Sequence, residues 1–396
     1  MLILSIISLV IFSIPVIYLY WLAINSIRVP PSPKAREPHH RLAIAIPAHN
    51  EEPVLKETIC AIKQSDYPKD LYDIFVLADH CTDNTAAIAQ QSGARCFERD
   101  VEPAKSKGAA LNWLLEKIWS TCTPYEGFIF LDADSKPDKE FLRMMDAHLQ
   151  AGERLIQGHT VISNPLDGWF PTLYSAIEIV EGRLQQQGRS NLDFSAKLAG
   201  YGFCVRTVDL ESNPFPTGLT EDYEYRLNLI CKGINIRYEP RAIVFSEAPA
   251  NWYIAKLQHA RWRAGIYKSR SQYRSQLLRQ SVYNYNPAVM DVLLDLTFPS
   301  YSTLTVLGFS ALLLQLFINL IATPLVPIYL LISWVILIAG LAIYPLLAMV
   351  LDRAPLRGYL VIFIGPVFVV WRTWQALLAR FGKKPVTWVR TARRNG

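Results

Sequence analysis

The chain has no C-x-x-C pair. Its six cysteines, Cys60, Cys81, Cys96, Cys122, Cys204 and Cys231, are scattered through 396 residues. That spacing excludes a zinc knuckle or a disulfide framework and leaves reduced cytosolic thiols as the default. No G-x-G-x-x-G follows the first apolar strand, and no G-x-x-x-x-G-K-[ST] occurs anywhere. Neither a dinucleotide-dependent dehydrogenase nor a P-loop NTPase is therefore supported. Internal repeats and low-complexity stretches are absent too. Charge is missing altogether from Met1 to Leu22, MLILSIISLVIFSIPVIYLYWL. This run has about the length needed to cross a bilayer. It lacks the basic start and small-residue cleavage site of a signal peptide, and aromatics crowd its end as interfacial anchors do. An uncleaved anchor over residues 1–24 is expected.

Apolar residues make up 51% of the chain, a high share for a wholly soluble protein, and they are unevenly placed. Residues 25–41 form a basic, proline-rich linker whose charge places that side of the membrane in the cytoplasm. From 42 to 285 the composition is that of a soluble cytoplasmic α/β domain. Two further runs, TFPSYSTLTVLGFSALLLQLFINLIA and LVPIYLLISWVILIAGLAIYPLLAMV, are long enough to span, whereas YLVIFIGPVFVVW suits an interfacial or re-entrant helix. The region 286–380 is thus expected to hold two spans and an interfacial helix, and 381–396 a basic cytoplasmic tail. A multi-pass protein of the cell membrane follows. The net charge of +6 sits mainly in the linker and tail, where anionic lipid headgroups account for it better than nucleic acid.

Within 42–285, RLAIAIPAH, YDIFVLAD and GFIFLDAD read as buried strands, and EEPVLKETICAIKQSD and TDNTAAIAQQSG as helices. Strands alternating with helices predict a mainly parallel sheet, in which ligands bind beyond the carboxyl ends of the strands. His49, Asn50, Glu51, Asp79, Asp132 and Asp134 all fall at such ends.

Each of these residues has a plain and a chemical reading. Asp132 and Asp134 form a D-x-D that suits Mg²⁺ or Mn²⁺ and, through it, the phosphates of a nucleotide; alternatively they stabilise a turn. Asp79 can bind a ribose or a base edge, or cap a turn. Lys107, before a glycine, can contact a phosphate, while neighbouring Lys105 reads as a solvated charge. In GLTEDYEYRL, Thr220 is positioned to cap a helix whose acidic first turn, Glu221, Asp222 and Glu224, favours the positive helix end. One of those acids can equally take a proton from a substrate.

PAHNE (47–51), Asp79, KGAALN (107–112), DAD (132–134), TED (220–222) and QHARW (258–262) occur in an order that resembles family 2 glycosyltransferases, the membrane-embedded relatives of cellulose, chitin, hyaluronan and poly-N-acetylglucosamine synthases. The resemblance covers most of the chain and implies a GT-A-type nucleotide-sugar-binding domain flanked by transmembrane helices. It implies that Glu51 and Asp79 hold the uridine of a UDP-sugar and that Lys107 corresponds to the lysine of the family's K-A-G segment. Asp132 and Asp134 resemble the acids that bind donor and divalent metal, with Asp134 the closer ligand. Asp222 resembles the general base, beside Glu221. Gln258, Arg261 and Trp262 match the Q-x-x-R-W that closes over diphosphate and acceptor sugar. TWVRTARR resembles a tail motif, and GYGFCVRT, from Gly200, reads as either an acceptor-channel lining or a tight core turn.

The activity so implied is inverting, metal-dependent transfer of a hexose or N-acetylhexosamine from a UDP-sugar to a saccharide acceptor, with processive polysaccharide synthesis at the membrane. Two or three spans make a small channel, which argues for a homo-oligomer or for a lipid acceptor instead. A catalytically inactive sugar-nucleotide-binding regulator is a further reading, against which the intact acids argue. A transporter is disfavoured by the few spans and by the lack of charge within them.

Overall fold

A computed structural model of the protein describes residues 2–33, 37–101, 106–248, 252–283, 285–321 and 326–381. Lys105 and the basic tail with its TWVRTARR motif lie outside the described residues. Eight strands form one sheet: β1 (Leu42–Ala48), β2 (Tyr72–Asp79), β3 (Arg95–Arg99), β4 (Gly127–Phe130), β5 (Lys136–Pro137), β6 (Leu155–Ile162), β7 (Phe203–Arg206) and β8 (Arg237–Ser246). Their order is β3-β2-β1-β4-β7-β6-β8-β5. The β1/β2, β1/β4, β2/β3 and β6/β8 pairings are parallel, and β7 runs antiparallel between β4 and β6. The expected mainly parallel sheet is therefore present, with one antiparallel strand, β7, inserted at its centre and a second, β5, at its edge.

The helices in chain order are α1 (Leu2–Ser26), α2 (Glu52–Lys63), α3 (Thr85–Gln91), α4 (Lys107–Trp119), α5 (Phe141–Gln150), α6 (Trp169–Val180), α7 (Gln187–Asn191), α8 (Thr207–Ser212), α9 (Glu221–Cys231), α10 (Trp252–Tyr283), α11 (Pro287–Thr297), α12 (Tyr301–Ile321), α13 (Ile328–Leu351) and α14 (Val361–Phe381). A π-helical stretch, Glu181–Gln186, joins α6 to α7.

The first strands read as continuous apolar runs because both faces are covered. Leu42, Ile44 and Ile46 of β1 join Ile74 and Val76 of β2 beneath Leu55, Ile59 and Ile62 of α2 and Phe141 and Met145 of α5. On the other face Ala43, Ala45, Phe75 and Leu77 meet Leu111, Leu114 and Ile118 of α4 and Tyr225 and Leu229 of α9. Three layers result, and the carboxyl ends of β1, β2 and β4 meet the amino ends of α2, α4 and α9.

Among the described residues three helices, α1, α12 and α13, are long and apolar enough to cross a membrane. The segment read as interfacial forms α14, which carries Arg372 within it and packs on α6, α10 and α12. Hydropathy places α11 with the membrane region, yet that helix docks on α9 and α10 and ion-pairs with the sheet domain through Asp291 and Asp295.

Candidate active site

The site assembles where β4 ends and where α4 and α9 begin. Ser106 caps α4, its hydroxyl accepting from the Ala109 amide at 3.2 Å, so that Lys107 is the first helical residue. Its ammonium donates to Asp132 Oδ1 at 2.6 Å and to the Gly200 carbonyl at 2.9 Å, and lies 3.9 Å from Glu221 Oε1. A Cβ at Gly200 would stand 3.4 Å from Lys107 Nζ and 3.6 Å from Asp222 Oδ2. Four segments thus surround one spot: the turn leaving β4 through Asp132, α4 through Lys107, α9 through Glu221 and Asp222, and the turn before β7 through Gly200. The GYGFCVRT segment divides accordingly. Gly200 faces the site, while 203–206 is the buried central strand β7.

Close backbone approach makes this convergence attainable. A Cβ at Gly108 would come within 1.9 Å of the Pro216 carbonyl oxygen and 3.3 Å of Glu221 Cβ, so the glycine lets α4 abut the segment entering α9. Asn112 then fastens that segment, its side chain donating to the Phe215 carbonyl and accepting from the Phe215 amide, each at 2.9 Å.

The electrostatics follow from burial and from Lys107. Burial pushes the Glu221 and Asp222 carboxyls above the usual carboxylate range, and Lys107 pulls against that rise without cancelling it. Burial also acts to lower Lys107, but Asp132, Glu221 and Asp222 more than offset it, and its pKa is pushed up to about 12. Lys107 is a fixed cation. A carboxylate with a raised pKa is the stronger proton acceptor when ionised.

A second group lies at the ends of β1 and β2. Asp79 is gripped by Arg99 of β3 through two hydrogen bonds, Nε–Oδ1 at 2.7 Å and Nη2–Oδ2 at 2.8 Å. Burial raises Asp79, yet Arg99 and His80 outweigh it and hold the carboxyl below its usual range. His49 Nδ1 sits 2.7 Å from the Asp79 carbonyl. Glu51 is the N-cap residue of α2, and its amide donates to the Thr85 hydroxyl at 2.8 Å. Asn50 and His80 adopt left-handed φ of 57° and 50° at these strand ends, which asparagine tolerates better than most residues. The Asn50 side chain accepts from the Thr82 amide at 2.7 Å, pinning the two loops together. Arg99 carries no local sign of this role. Only the parallel register that sets it opposite Asp79 brings them together.

The helix α10 presents the remaining candidates. Gln258 and Arg261 are half-buried and Trp262 is 38% exposed. His259, between them, is buried against Trp262 and Trp371 with ring centroids 5.3 and 5.7 Å apart, and its Nε2 lies 2.6 Å from the Tyr174 hydroxyl. Burial, together with Arg372 and Arg263, lowers its pKa to about 3, so His259 is a neutral packing residue. Contact between α10 and the cluster is made at Gly265, where a Cβ would fall 2.4 Å from Thr220 Oγ1. The expected Thr220 cap is corrected here. Thr220 is the N-cap residue of α9, but its hydroxyl makes no cap hydrogen bond and instead faces α10.

Asp132 and Asp134 stand two residues apart, both half-buried, on either side of buried Ala133. Among the described residues no group of three or more His, Cys, Asp or Glu side chains forms a complete metal cage. Mg²⁺ and Mn²⁺ at nucleotide sites use one or two carboxylates plus substrate phosphates, and this pair fits that donor set.

A protein-family model described as "Glycosyltransferase like family 2" matches residues 38–265, more than half of the chain. The chain belongs to glycosyltransferase family 2. The match starts just before β1 and ends at Gly265, so it takes in every candidate site residue. Among curated proteins, the Bacillus subtilis (strain 168) "Probable glycosyltransferase YdaM" is 26% identical over 236 residues, 57% of this chain and 55% of that protein. The match thus spans about half of that relative's length. Among solved structures, the mannosyltransferase PcManGT of Pyrobaculum calidifontis, determined with GDP-Man and Mn²⁺, is 15% identical with a TM-score of 0.56. That alignment covers 96% of this chain and 99% of PcManGT, and it supports the GT-A fold. S. aureus TarS residues 1–349 with UDP-GlcNAc is 14% identical over 86% of this chain and 92% of that one, with a TM-score of 0.48.

Proposed function

We propose that this family 2 glycosyltransferase transfers a hexose or N-acetylhexosamine from a UDP-sugar to a saccharide acceptor at the membrane, with inversion and with the sheet domain on the cytoplasmic side. The observation that carries the reading is Lys107, whose ammonium ties Asp132, at a strand's carboxyl end, to the acidic first turn of α9.

In this reading Asp222 accepts the proton of the attacking hydroxyl. Its raised pKa suits a base, and its place at the start of a helix keeps the ionised form accessible. Glu221, 13% exposed, shapes that turn and answers to Lys107. Glu51 and Asp79 sit where a nucleoside would lie, with Asp79 made rigid by Arg99. Gln258 and Arg261 would bind the diphosphate, and half-exposed Trp262 offers an apolar surface on which the acceptor sugar would stack. Mg²⁺ or Mn²⁺ held by Asp132 and Asp134 would neutralise charge on the leaving diphosphate.

A second acceptor reading, a lipid, is favoured by one observation. A cavity of about 220 Å³ opens between β6, α6 and the end of α13, lined mostly by apolar groups such as Val161, Ile162, Leu166 and Met349. The apolar part of a lipid acceptor would find a matching surface there.

The experiment is UDP or GDP release by the purified full chain across a panel of UDP-sugars and GDP-mannose, with product mass spectrometry. Release from a UDP-sugar that stops on chelation of divalent ions, with Asp222→Asn binding UDP normally but transferring nothing, is the expected result. Full transfer by Asp222→Asn removes the base assignment, and turnover that survives chelation removes the metal.

A further inference from the structure

A chain of buried charges runs from the first apolar helix to the helix that carries Asp222. Arg189 of α7 is 1% exposed. Its Nε donates to Asp291 Oδ2 at 3.0 Å, and its Nη2 donates to Asp295 Oδ1 at 3.2 Å and to the Tyr18 oxygen of α1 at 3.1 Å. The Tyr18 hydroxyl donates in turn to Asp291. The other oxygen of Asp295 accepts from Arg226 Nη1 at 3.2 Å. Arg226 lies on α9 one turn after Asp222 and is also 1% exposed. Its Nη2 reaches the Ser195 carbonyl at 3.4 Å, in the segment that leads to Gly200. Lys197 of that segment approaches Asp295 to 4.0 Å.

Asp295 is therefore shared by three cations from three parts of the chain. Burial would raise its carboxyl, but Lys197, Arg189 and Arg226 hold it well below the usual range, so it stays ionised. Replacing such a cluster whole by well-packed apolar side chains is often neutral or stabilising, whereas removing one partner leaves a buried charge uncompensated. Sliding α9 along its axis would part Arg226 from Asp295 and leave a guanidinium buried without its counter-ion. The α1 end is equally constrained. A Cβ at Gly188 would come within 2.2 Å of the Leu22 carbonyl oxygen, and Asn191 donates to the Asn25 and Arg28 carbonyls at 2.6 and 2.7 Å. Between them, α1 and α7 form one unit that presents Tyr18 and Arg189 together.

We propose that Asp295 is a positioning residue: it fixes α9 through Arg226 and, through Arg189 and Tyr18, makes the placement of Asp222 depend on the docking of the apolar helix α1. The proposal rests on Asp222 being the base. It adds that base placement is set from the membrane-helix side of the domain rather than by the nucleotide-sugar site alone. A catalytic domain so wired works fully only when α1 is seated.

The test uses the full chain in lipid nanodiscs, with Asp295→Asn, Asp295→Glu and Tyr18→Phe. A base displaced from the acceptor hydroxyl while the donor site is intact lowers kcat for transfer about 10- to 100-fold in Asp295→Asn, with donor KM and UDP affinity within about twofold. Tyr18→Phe, which removes one hydroxyl of α1, lowers kcat about threefold with the same split. Asp295→Glu, which keeps the charge, recovers most of the loss. If Asp295→Asn does not fold, Tyr18→Phe carries the test. Wild-type kcat in Tyr18→Phe, or kcat falling in step with UDP affinity in the folded variants, overturns the proposal. Hydrogen exchange separates this outcome from failure of the catalytic reading. Even in a chain that turns over no donor, both Asp295→Asn and Tyr18→Phe are expected to raise exchange at amides 221–226 while leaving 107–119 unchanged, and unaltered exchange at 221–226 rejects the lock by itself.

Discussion

The Lys107 ammonium stands 2.6 Å from Asp132, each side chain contributed by a different element of the sheet domain. The pair ties a strand end to a helix start. Lys107→Met keeps an unbranched side chain, one atom shorter, and removes the ammonium. Asp132 and the Gly200 carbonyl then lose a charged donor. Hydrogen bonds to charged groups are worth about 1.5–3 kcal/mol, so kcat/KM for the donor is expected to fall roughly 10- to 150-fold. Donor titration of UDP release reads this directly, and an undiminished kcat/KM would show that Lys107 is only a surface charge.

The contact between Gly265 and Thr220 gives a second prediction. A methyl at 265 would meet Thr220 Oγ1 at 2.4 Å and Cγ2 at 2.5 Å, so Gly265→Ala must push α10 from the start of α9. Overpacking of this kind costs about 1–3 kcal/mol, and here it also separates the Q-x-x-R-W helix from the acidic turn. Thr220→Ala removes the two closest of the three offending atoms and leaves only Cβ, at 2.9 Å. The double variant should therefore be less impaired in melting temperature and in transfer than the two single losses added together. Strict additivity would place the two helices out of contact.

What the sequence revealed, and what it did not, follows the range of the interactions. Strands β1, β2 and β4 were legible because both of their faces are buried, which leaves uninterrupted apolar runs. Strand β7 is four residues long, and β8 carries Arg237, Glu239 and Arg241, so neither stands out until its partners are known. Lys107, Asp132, Asp134 and Asp222 were singled out by the order of motifs along the chain, since each alone also reads as a turn, a cap or a solvated charge. Arg99 was not, since its role arises from the register of β3 on β2. Thr220 was placed correctly as an N-cap, but a neighbour forty-five residues away decides where its hydroxyl points. The acids of α11 were hidden for a different reason. Hydropathy averages over PAVMDVLLDLT and outweighs two aspartates that pair with arginines distant in sequence.

Glu178 of α6 carries the last prediction. It lines the cavity beside His159 and Asp352, and burial, reinforced by Glu181, pushes its pKa up to about 8 against the opposing pull of Arg372 and Lys197. Below the unfolded value of 4.5 both states are protonated and Glu178 costs nothing. Between 4.5 and about 8 the unfolded chain gives up the proton while the folded one retains it, so stability falls as pH rises, and above that range the penalty is fully present. Glu178→Gln stays neutral at every pH and escapes the penalty. The melting temperature of the variant should therefore match that of the wild-type chain near pH 4.5 and exceed it increasingly towards pH 8.5. A gap that is constant across this window would mean that the carboxyl ionises freely in the folded protein. A gap that widens with pH, joined to an unchanged donor KM, would mark the cavity as a place where a neutral group is favoured and a charged one is not, as an apolar acceptor chain requires.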